Sequence, residues 1–438
     1  MGNSGSMDKV RVVLPSSYDL VVGDTFQLFY RGIIEAVNPY AYDILALCEK
    51  GHNYPRYFEY TPAEVGEHKL TVTVYANDKS VLATGETILR VCEGKKSPNK
   101  EINILCMGDS LTSNGVWAQE AYRRLTATDG APCGLGLSGF RFIGNMKNGE
   151  VGYEGYGGWT WETFMSPGYY QLLPVWIECK HNKTEADQHS IWQDGEGNLW
   201  QLETIEEGRL KFNRKMNRNP KPDAGARLFH LENAKNTECI TVEASHYDAK
   251  NPFWNNENDC VDFVDYCRRQ GVSSIDAVYI LLTWNGQTAD RPPVEAYCQD
   301  VVRQGKAFVD ILHRQYPQAQ IKIMGLQIPS VHGGTGANYG AKLPYCDDYD
   351  LTRFVLELNR AYEAWTKEEA YRDYMEFINI SGQFDSENNM PYTFKPVNTR
   401  SNITEKIGTN GVHPLTEGYL QIGDAVYRNM VKSFCSRS

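Results

Sequence analysis

From Ile102 onward, short apolar runs of strand length alternate with segments of helical periodicity, and this alternation restricts the fold more than any other feature. Strands that alternate with helices form a parallel sheet with helices on both faces. Five strands are predicted: INILCMG from 102, FRFIGNM from 140, AVYILLTW from 277, IKIMGLQIP from 321 and MEFINIS from 375. Helices are predicted where apolar residues recur at Val294, Tyr297, Val301, Phe308 and Leu312, and also at 351–365 and 415–431.

The preceding residues have a different pattern. Residues 8–92 consist of short β-rich runs separated by turn residues, with clear alternation from Leu70 to Tyr75. This predicts a small all-β sandwich of immunoglobulin-like type at 8–92, followed by a polar linker at 93–101. A larger α/β domain is predicted at 102–435. Residues at about 164–250 interrupt its strand–helix alternation and predict a β-rich insertion.

Composition excludes several classes of function. The net charge of -11 argues against nucleic acid and anionic membrane surfaces as main partners. No apolar run is long enough to span a membrane, and MGNSGSMDK at the start lacks the apolar region of a signal peptide. The eleven cysteines include no C-x-x-C pair, so we expect mostly buried thiols and leave one or two disulfides open. The histidines suggest no metal site, and no cofactor is predicted.

Polar and small residues follow the predicted strands where a parallel sheet places its ligands. Ser110 follows the first strand, Gly158 lies in GYGGWTW, Asn285 follows the third strand, and His413 precedes the last helix. Ester hydrolysis through serine needs a nucleophile, a base and donors for the developing oxyanion. Ser110 suits the nucleophile and His413 the base. The backbone N–H groups of Ser110 and Gly158, with the Asn285 amide, suit the oxyanion hole.

These four segments resemble the blocks that name the SGNH hydrolases, also called the GDSL family. GDSLT contains Ser110 and GGWT contains Gly158. The third block is normally Gly-x-Asn-Asp, and here TWNG at 283–286 keeps only Asn285. The last block is normally Asp-x-x-His-Pro, and here NGVHP at 410–414 keeps His413 and Pro414. The resemblance covers residues 102–432 outside the insertion. It implies a flavodoxin-like three-layer α/β/α sandwich and esterase or lipase activity.

The departure at Asn410 leaves open which group orients His413. In the family, an Asp at this position holds the imidazole. In one well-studied serine protease, replacing the corresponding Asp by Asn lowers turnover about 10⁴-fold through the wrong histidine tautomer. One alternative is Asn410, with its amide oxygen facing the ring, or a Ser–His dyad. The others are a backbone carbonyl and Asp385, which follows the fifth strand.

Several further residues have two interpretations. Trp159 and Trp161 lie beside Gly158, and Trp284 lies beside Asn285, so these rings either bind a sugar or pack in the core. Asp109 is expected to fix the turn before Ser110. His332 follows the fourth strand, in a loop for which no chemical role is predicted.

The hypothesis is a serine esterase that deacetylates a carbohydrate, with a small-molecule or polysaccharide ester as substrate. Aromatic residues flank the site, no large apolar lid helix is evident, and an appended β-sandwich is typical of secreted enzymes that act on polysaccharides. A periplasmic or secreted location is therefore expected. The alternatives are a lipid or lysophospholipid acyl esterase, and a non-catalytic carbohydrate-binding protein with a decayed site. The sequence does not indicate an oligomeric state.

Overall fold

The computed structural model describes residues 10–168, 173–215, 221–231, 238–286, 293–333 and 348–436. The chain forms two compact units. The first comprises Met1–Thr160, Ser274–Val309 and Tyr316–Ser438, and the second comprises Trp161–Ser273 and Asp310–Gln315. Residues 8–92 and the predicted linker thus belong to the same unit as the parallel sheet, and their separation into two domains stays a prediction.

The N-terminal part of the first unit is built from strands and two short 3-10 helices. The strands β1–β9 are Arg11–Val12, Ser17–Val21, Phe26–Phe29, Ile34–Glu35, Asp43–Leu47, His52–Asn53, Tyr57–Tyr60, Gly66–Tyr75 and Val81–Cys92, and the 3-10 helices are Tyr30–Gly32 and Pro39–Ala41. They form sheets of order β2-β9-β8-β5 and β3-β7-β6 and the pair β1-β4. Alternate β8 residues Leu70, Val72 and Val74 are fully buried in a shared core, as period-two patterning predicts. Its immunoglobulin-like type stays a prediction.

The rest of the chain combines helices and strands. The strands β10–β27 are Ile102–Gly108, Phe140–Ile143, Met146–Asn148, Val151–Gly155, Val175–Glu178, Ile191–Gln193, Leu199–Glu206, Arg209–Lys215, Arg227–His230, Cys239–Thr241, Ala244–Tyr247, Trp254–Asn255, Cys260–Val261, Ala277–Leu281, Gln320–Met324, Met375–Ile378, Tyr392–Pro396 and Thr404–Gly408. The helices α1–α6 are Val116–Thr126, Trp161–Phe164, Phe263–Gln270, Val294–Gln315, Asp348–Thr366 and Thr416–Met430. Short 3-10 turns lie at Glu185–Asp187 and Ser381–Gln383, and a π-helical turn at Val431–Cys435 follows α6.

The central sheet of the first unit is parallel apart from one edge strand. Its order is β12-β13-β10-β23-β24-β25, and β11 pairs with the first half of β10. Only β12 runs antiparallel to its neighbour. Every residue of β10 and β23 is buried, which explains why both strands are continuous apolar runs in the sequence. The predicted parallel sheet is confirmed. The flavodoxin-like three-layer arrangement stays a prediction.

The five predicted strands are present, but β23, β24 and β25 end earlier than their apolar runs. They stop at Leu281, Met324 and Ile378. The apolar residues that follow, such as Leu282 and Leu326, are buried outside the sheet, in the loops at its carboxyl edge. Hydrophobicity alone therefore overestimated strand length at the edge where the candidate site lies.

The second unit contains a seven-stranded antiparallel sheet. Its order is β19-β18-β15-β16-β17-β14-β20, so all its strands lie between Val175 and Tyr247. Trp192, Trp200 and Phe212 are fully buried in its core. Within the predicted β-rich insertion, SIWQDGEGNLWQLETI contains the antiparallel pair β15–β16.

Three negative findings concern only the described residues. No helix among them is both long and apolar enough to cross a membrane. Within the same ranges, no group of three or more His, Cys, Asp or Glu side chains is arranged to hold a metal ion. Ten of the eleven cysteines are described and carry free thiols, while Cys346 lies outside the described residues.

A buried ion cluster joins the N-terminal strands to α1 and α6. The Asp24 carboxylate accepts from Arg124 Nη2 at 2.7 Å and from Arg428 Nε at 2.6 Å, and Arg124 also pairs with Asp424. The side chains of Asp24, Arg124 and Arg428 are 6%, 2% and 7% exposed. Burial alone would raise the pKa of Asp24, but Arg428 and Arg124 hold that pKa below its usual value.

Replacing Asp24 by Ala is expected to lower the free energy of unfolding by about 3–5 kcal/mol, because it removes the shared partner of two buried guanidinium groups. Since the pKa of Asp24 is lowered on folding, this contribution is present above the usual Asp pKa and is lost as the pH falls through the lowered value. Urea unfolding of both proteins across this pH range measures the effect. The control is Asp43→Ala, which breaks an exposed pair with Lys79 and should change stability by less than about 1 kcal/mol. Equal effects of the two substitutions would contradict the prediction.

Candidate active site

Ser110 lies in the turn that ends β10. A Cβ atom on Gly108 would lie 2.0 Å from the Leu281 carbonyl oxygen, so glycine is needed for the close approach of β10 and β23 at this point. The Asp109 carboxylate then accepts from Leu111 N at 3.0 Å, and Thr112 N donates to Asp109 O at 3.0 Å. These bonds turn the chain out of the sheet and leave the half-buried Ser110 at the strand tip.

His413 lies in the loop before α6, and its ring reaches Ser110. The distance from His413 Nε2 to Ser110 Oγ is 2.8 Å. Gln327, which follows β24, fixes this loop by donating to the Val412 carbonyl at 2.7 Å. Two residues predicted as nucleophile and base from positions 303 residues apart thus form a hydrogen bond at the carboxyl edge of the sheet.

Asn410 occupies the other side of the His413 ring. Its Oδ1 accepts from the backbone N–H groups of Val412 and His413, both at 2.9 Å. Its Nδ2 lies 3.3 Å from His413 Nδ1. The structure therefore brings Ser110, His413 and Asn410 together in one chain of contacts.

The other two candidates for orienting His413 are not in contact with it. The Asp385 carboxylate accepts from Arg56 Nη2 at 3.1 Å and from Asn388 Nδ2 at 2.8 Å. In the described part of the chain, neither a carboxylate nor a backbone carbonyl contacts the His413 ring. Of the three alternatives, only Asn410 lies against the ring.

The orientation of the Asn410 amide differs from the one considered in the first of the three alternatives, an oxygen that faces the ring. The two backbone N–H groups require that oxygen for themselves, because an NH₂ group in its place would meet two donors. Nδ2 therefore donates to His413 Nδ1, and the ring proton resides on Nε2. A general base must instead present an unprotonated Nε2 to the serine hydroxyl. Asn410 thus favours the unproductive tautomer.

Burial lowers the pKa of His413 from its usual value of about 6.5. The neutral ring that a general base requires consequently persists to lower pH than for an exposed histidine. We expect the acid limb of kcat/KM to lie below about pH 6.5. A pH profile of aryl acetate hydrolysis measures it. An acid limb above that value would contradict the assignment of His413 as base.

The loop that contains Gly157 and Gly158 lies next to Ser110. Tyr156 N donates to Gly108 O at 3.0 Å, and a Cβ atom on Gly157 would lie 3.9 Å from Ser110 Cβ. Gly158 follows with a φ of +81°, a conformation that glycine adopts without strain. In the part of the chain that the structure describes, the Ser110 N–H has no hydrogen-bond acceptor and so is available to an oxyanion.

Asn285 is held by two acceptors. Its Nδ2 donates to Asp109 Oδ2 and to the Trp159 carbonyl, each at 3.2 Å. Because an amide nitrogen has two hydrogens, Asn285 must release the Trp159 carbonyl before it can donate to substrate. Asp109 is fully buried, and burial raises its pKa to about 6. Asp109 therefore fixes the turn, as expected, and also orients Asn285, a role that sequence reasoning missed.

The structure shows how the chain accommodates Thr283 in the altered third block. The φ of Thr283 is +120°, which is strained for a β-branched residue and natural for glycine, the residue expected at this position from the resemblance described above. Thr283 N donates to Asp109 Oδ2 at 3.3 Å, and Thr283 Oγ1 lies 2.5 Å from the Tyr362 hydroxyl. The backbone path that carries Asn285 thus persists although its glycine is absent. In the sequence, the only sign of this backbone conformation was that Thr283 stands where a glycine was expected.

The three candidate sugar-binding tryptophans are buried. Trp159, Trp161 and Trp284 are 5%, 2% and 7% exposed. Trp159 stacks on Tyr156 at a centroid distance of 4.3 Å. A stacking wall needs an exposed ring face, so the packing interpretation fits these residues. His332 Nε2 lies 3.1 Å from the Glu387 carbonyl.

Comparisons with known proteins identify no family: no family model matches the chain, and no curated protein does. Among solved structures, a carbohydrate esterase family 2 enzyme with a carbohydrate-binding domain from Corynascus thermopiles (Myceliophthora fergusii) is 12% identical, covers 97% of this chain and 99% of its own, and has a TM-score of 0.29. An acetyl xylan esterase, Est2A, from the rumen bacterium Butyrivibrio proteoclasticus is 10% identical over 98% of this chain and 96% of its own, with a TM-score of 0.28. A peptidoglycan O-acetylesterase is 12% identical over 76% of this chain and 92% of its own, with a TM-score of 0.30.

Proposed function

We propose that this protein is a serine esterase. Ser110 Oγ attacks the ester carbonyl while His413 Nε2 takes its proton, and the same nitrogen later protonates the leaving alcohol. The N–H groups of Ser110 and Gly158 and the amide of Asn285 bind the oxyanion, and water then hydrolyses the acyl-enzyme. The 2.8 Å contact between Ser110 Oγ and His413 Nε2 at the carboxyl edge of a parallel sheet is the observation that supports this most strongly.

The tautomer of His413 sets a condition on this reaction. Nε2 can accept the serine proton only when the ring proton is on Nδ1, where it meets the Asn410 amide nitrogen. The chain with Asn410 is therefore a slow esterase in this mechanism. A carboxylate at position 410 removes the conflict, because it accepts the Nδ1 proton.

An acetylated carbohydrate is the proposed substrate. Tyr392 and Phe394 are 42% and 62% exposed on the hairpin β26–β27, and their rings pair edge to face at 5.6 Å. Lys406 Nζ lies 4.0 Å from the centroid of the Tyr392 ring, so Phe394 is the more accessible of the two rings. This hairpin ends at Gly408, two residues before Asn410. The exposed aromatic rings therefore lie on the segment that precedes the loop with Asn410 and His413. The apolar face of an aromatic ring suits the apolar face of a sugar. The proposed location is periplasmic or secreted.

The substrate is tested by comparing acetate release from acetylated oligosaccharides with fatty-acid release from a lysophospholipid, using Asn410→Asp protein. We expect acetate release to be faster. A strong preference for long acyl chains would favour a lipid esterase. Glycan binding with no hydrolysis and no labelling by a fluorophosphonate would favour a carbohydrate-binding protein with a decayed site.

A further inference from the structure

Four asparagines of this chain precede a glycine: Asn114, Asn148, Asn285 and Asn410. In such pairs the backbone nitrogen of the glycine can attack the asparagine Cγ, because glycine has no Cβ to obstruct the approach. The reaction releases ammonia and converts the amide to an acid. The four sites are therefore matched in sequence, and their surroundings can be compared directly.

The Asn410 amide is surrounded by groups that favour this reaction. Its Oδ1 accepts two backbone N–H bonds at 2.9 Å, and paired donors on a carbonyl oxygen stabilise the negative charge that develops when Cγ is attacked. Its Nδ2, the leaving group, lies 3.3 Å from His413 Nδ1. Once Cγ is tetrahedral, Nδ2 carries a lone pair and can accept a proton from the Nδ1–H tautomer of the ring.

The other three sites lack this combination. Asn114 Oδ1 accepts one backbone N–H, from Val116 at 3.1 Å. Asn148 Nδ2 donates to the Asn114 carbonyl at 3.2 Å, and Asn285 Nδ2 is held by Asp109 and Trp159. Within the described ranges, no histidine contacts any of these three side chains. They therefore serve as internal references.

We propose that Asn410 is a self-modification site, at which deamidation to aspartate completes the esterase site. The Gly411 nitrogen forms a bond to Asn410 Cγ and loses its proton to water. In the tetrahedral intermediate Nδ2 has gained a lone pair, so it takes a proton from the Nδ1–H tautomer of His413 while the ring regains a proton from water at Nε2. The Cγ–Nδ2 bond then breaks, and ammonia departs. Water then opens the cyclic imide between Cγ and the Gly411 nitrogen, so that the balance is one amide and one water to one carboxylate and one ammonium ion.

In the aspartate product, the hydrogen bond between residue 410 and His413 has the opposite direction, with the ring as donor and the side chain of residue 410 as acceptor. One carboxylate oxygen keeps the two backbone N–H groups, and the other stands where Nδ2 stood, as an acceptor for the Nδ1 proton. The ring proton then resides on Nδ1, and Nε2 becomes free to take the proton of Ser110. The modification would act as an irreversible activation, and this consequence depends on the proposed esterase function.

The experiment follows freshly prepared full-length protein during incubation at neutral pH, with peptide mass spectrometry at all four sites and aryl acetate hydrolysis on the same samples. We expect Asn410 to convert about 10²-fold faster than Asn148, and activity to rise in step. In His413→Ala protein, conversion at Asn410 should slow towards that of Asn148. An unchanged rate at Asn148 and an unchanged circular dichroism spectrum would show that this variant is folded.

The modification and the esterase function can fail separately. Asn410 retaining its amide while Asn148 loses its own would overturn the modification, as would equal rates in wild-type and His413→Ala protein. Conversion at Asn410 with no hydrolysis, even in Asn410→Asp protein, would support the modification and overturn its role in esterase activity.

Discussion

Asn410→Asp is expected to raise kcat/KM for aryl acetate by about 10⁴-fold over protein whose Asn410 amide is intact, the reverse of the loss that Asp-to-Asn exchange causes in serine proteases. The gain arises because the carboxylate accepts the Nδ1 proton that the Asn410 amide now opposes. Steady-state kinetics on freshly prepared proteins, each with its mass verified at position 410, measures it.

The matched control for this gain is Asn402→Asp, which makes the same charge change on an exposed residue between the strands of the β26–β27 hairpin. It should leave kcat/KM within severalfold of the wild type. A kcat/KM for Asn410→Asp that is equal to or below the wild-type value would show that Asn410 does not restrict the histidine tautomer.

Ser110→Ala, made in the Asn410→Asp protein, is expected to lower kcat on the order of 10⁴- to 10⁶-fold, as removal of a serine nucleophile does in other enzymes. The Ala variant keeps the turn and the oxyanion donors but lacks the oxygen that lies 2.8 Å from His413 Nε2. Kinetics with aryl acetate and covalent labelling by a fluorophosphonate both measure the loss.

Ser113→Ala is the control for the nucleophile. Ser113 lies in the same turn, and its hydroxyl donates to the Ser110 carbonyl at 2.9 Å, so its removal tests the turn without removing the reactive oxygen. We expect labelling and most of the activity to remain. Full activity in Ser110→Ala protein would refute the proposed mechanism.

Sequence patterns predicted the parts of the fold that depend on burial. The apolar runs of β10 and β23 and the periodic helix α4 are placed as expected. A strand that is buried on both faces gives a continuous apolar run, and a helix that is buried on one face gives a periodic pattern. The exposed hairpin β26–β27 was not predicted, because its aromatic residues face outward at Tyr392 and Phe394.

The sequence predicted which residues form the candidate site but not how their side chains are oriented. Ser110 and His413 follow from position at strand and helix ends. The direction of the Asn410 amide depends on backbone N–H groups of Val412 and His413, and the engagement of Asn285 depends on the Trp159 carbonyl. Nearly every residue type has the same backbone N–H and carbonyl groups, so the sequence does not show which of them make these contacts. Only the structure shows them.

The ion cluster at Asp24 affects whether the N-terminal strands can be removed or exchanged. A protein engineered to begin after the predicted linker at 93–101 would lose Asp24 and the Thr25 carbonyl together, and in the described residues Arg428 would then keep only Gln383 as a hydrogen-bond acceptor. The N-terminal strands are thus better regarded as a part of the fold that α6 requires than as a segment that can be exchanged. Recombination at this boundary should yield folded proteins only when the incoming segment brings its own buried carboxylate.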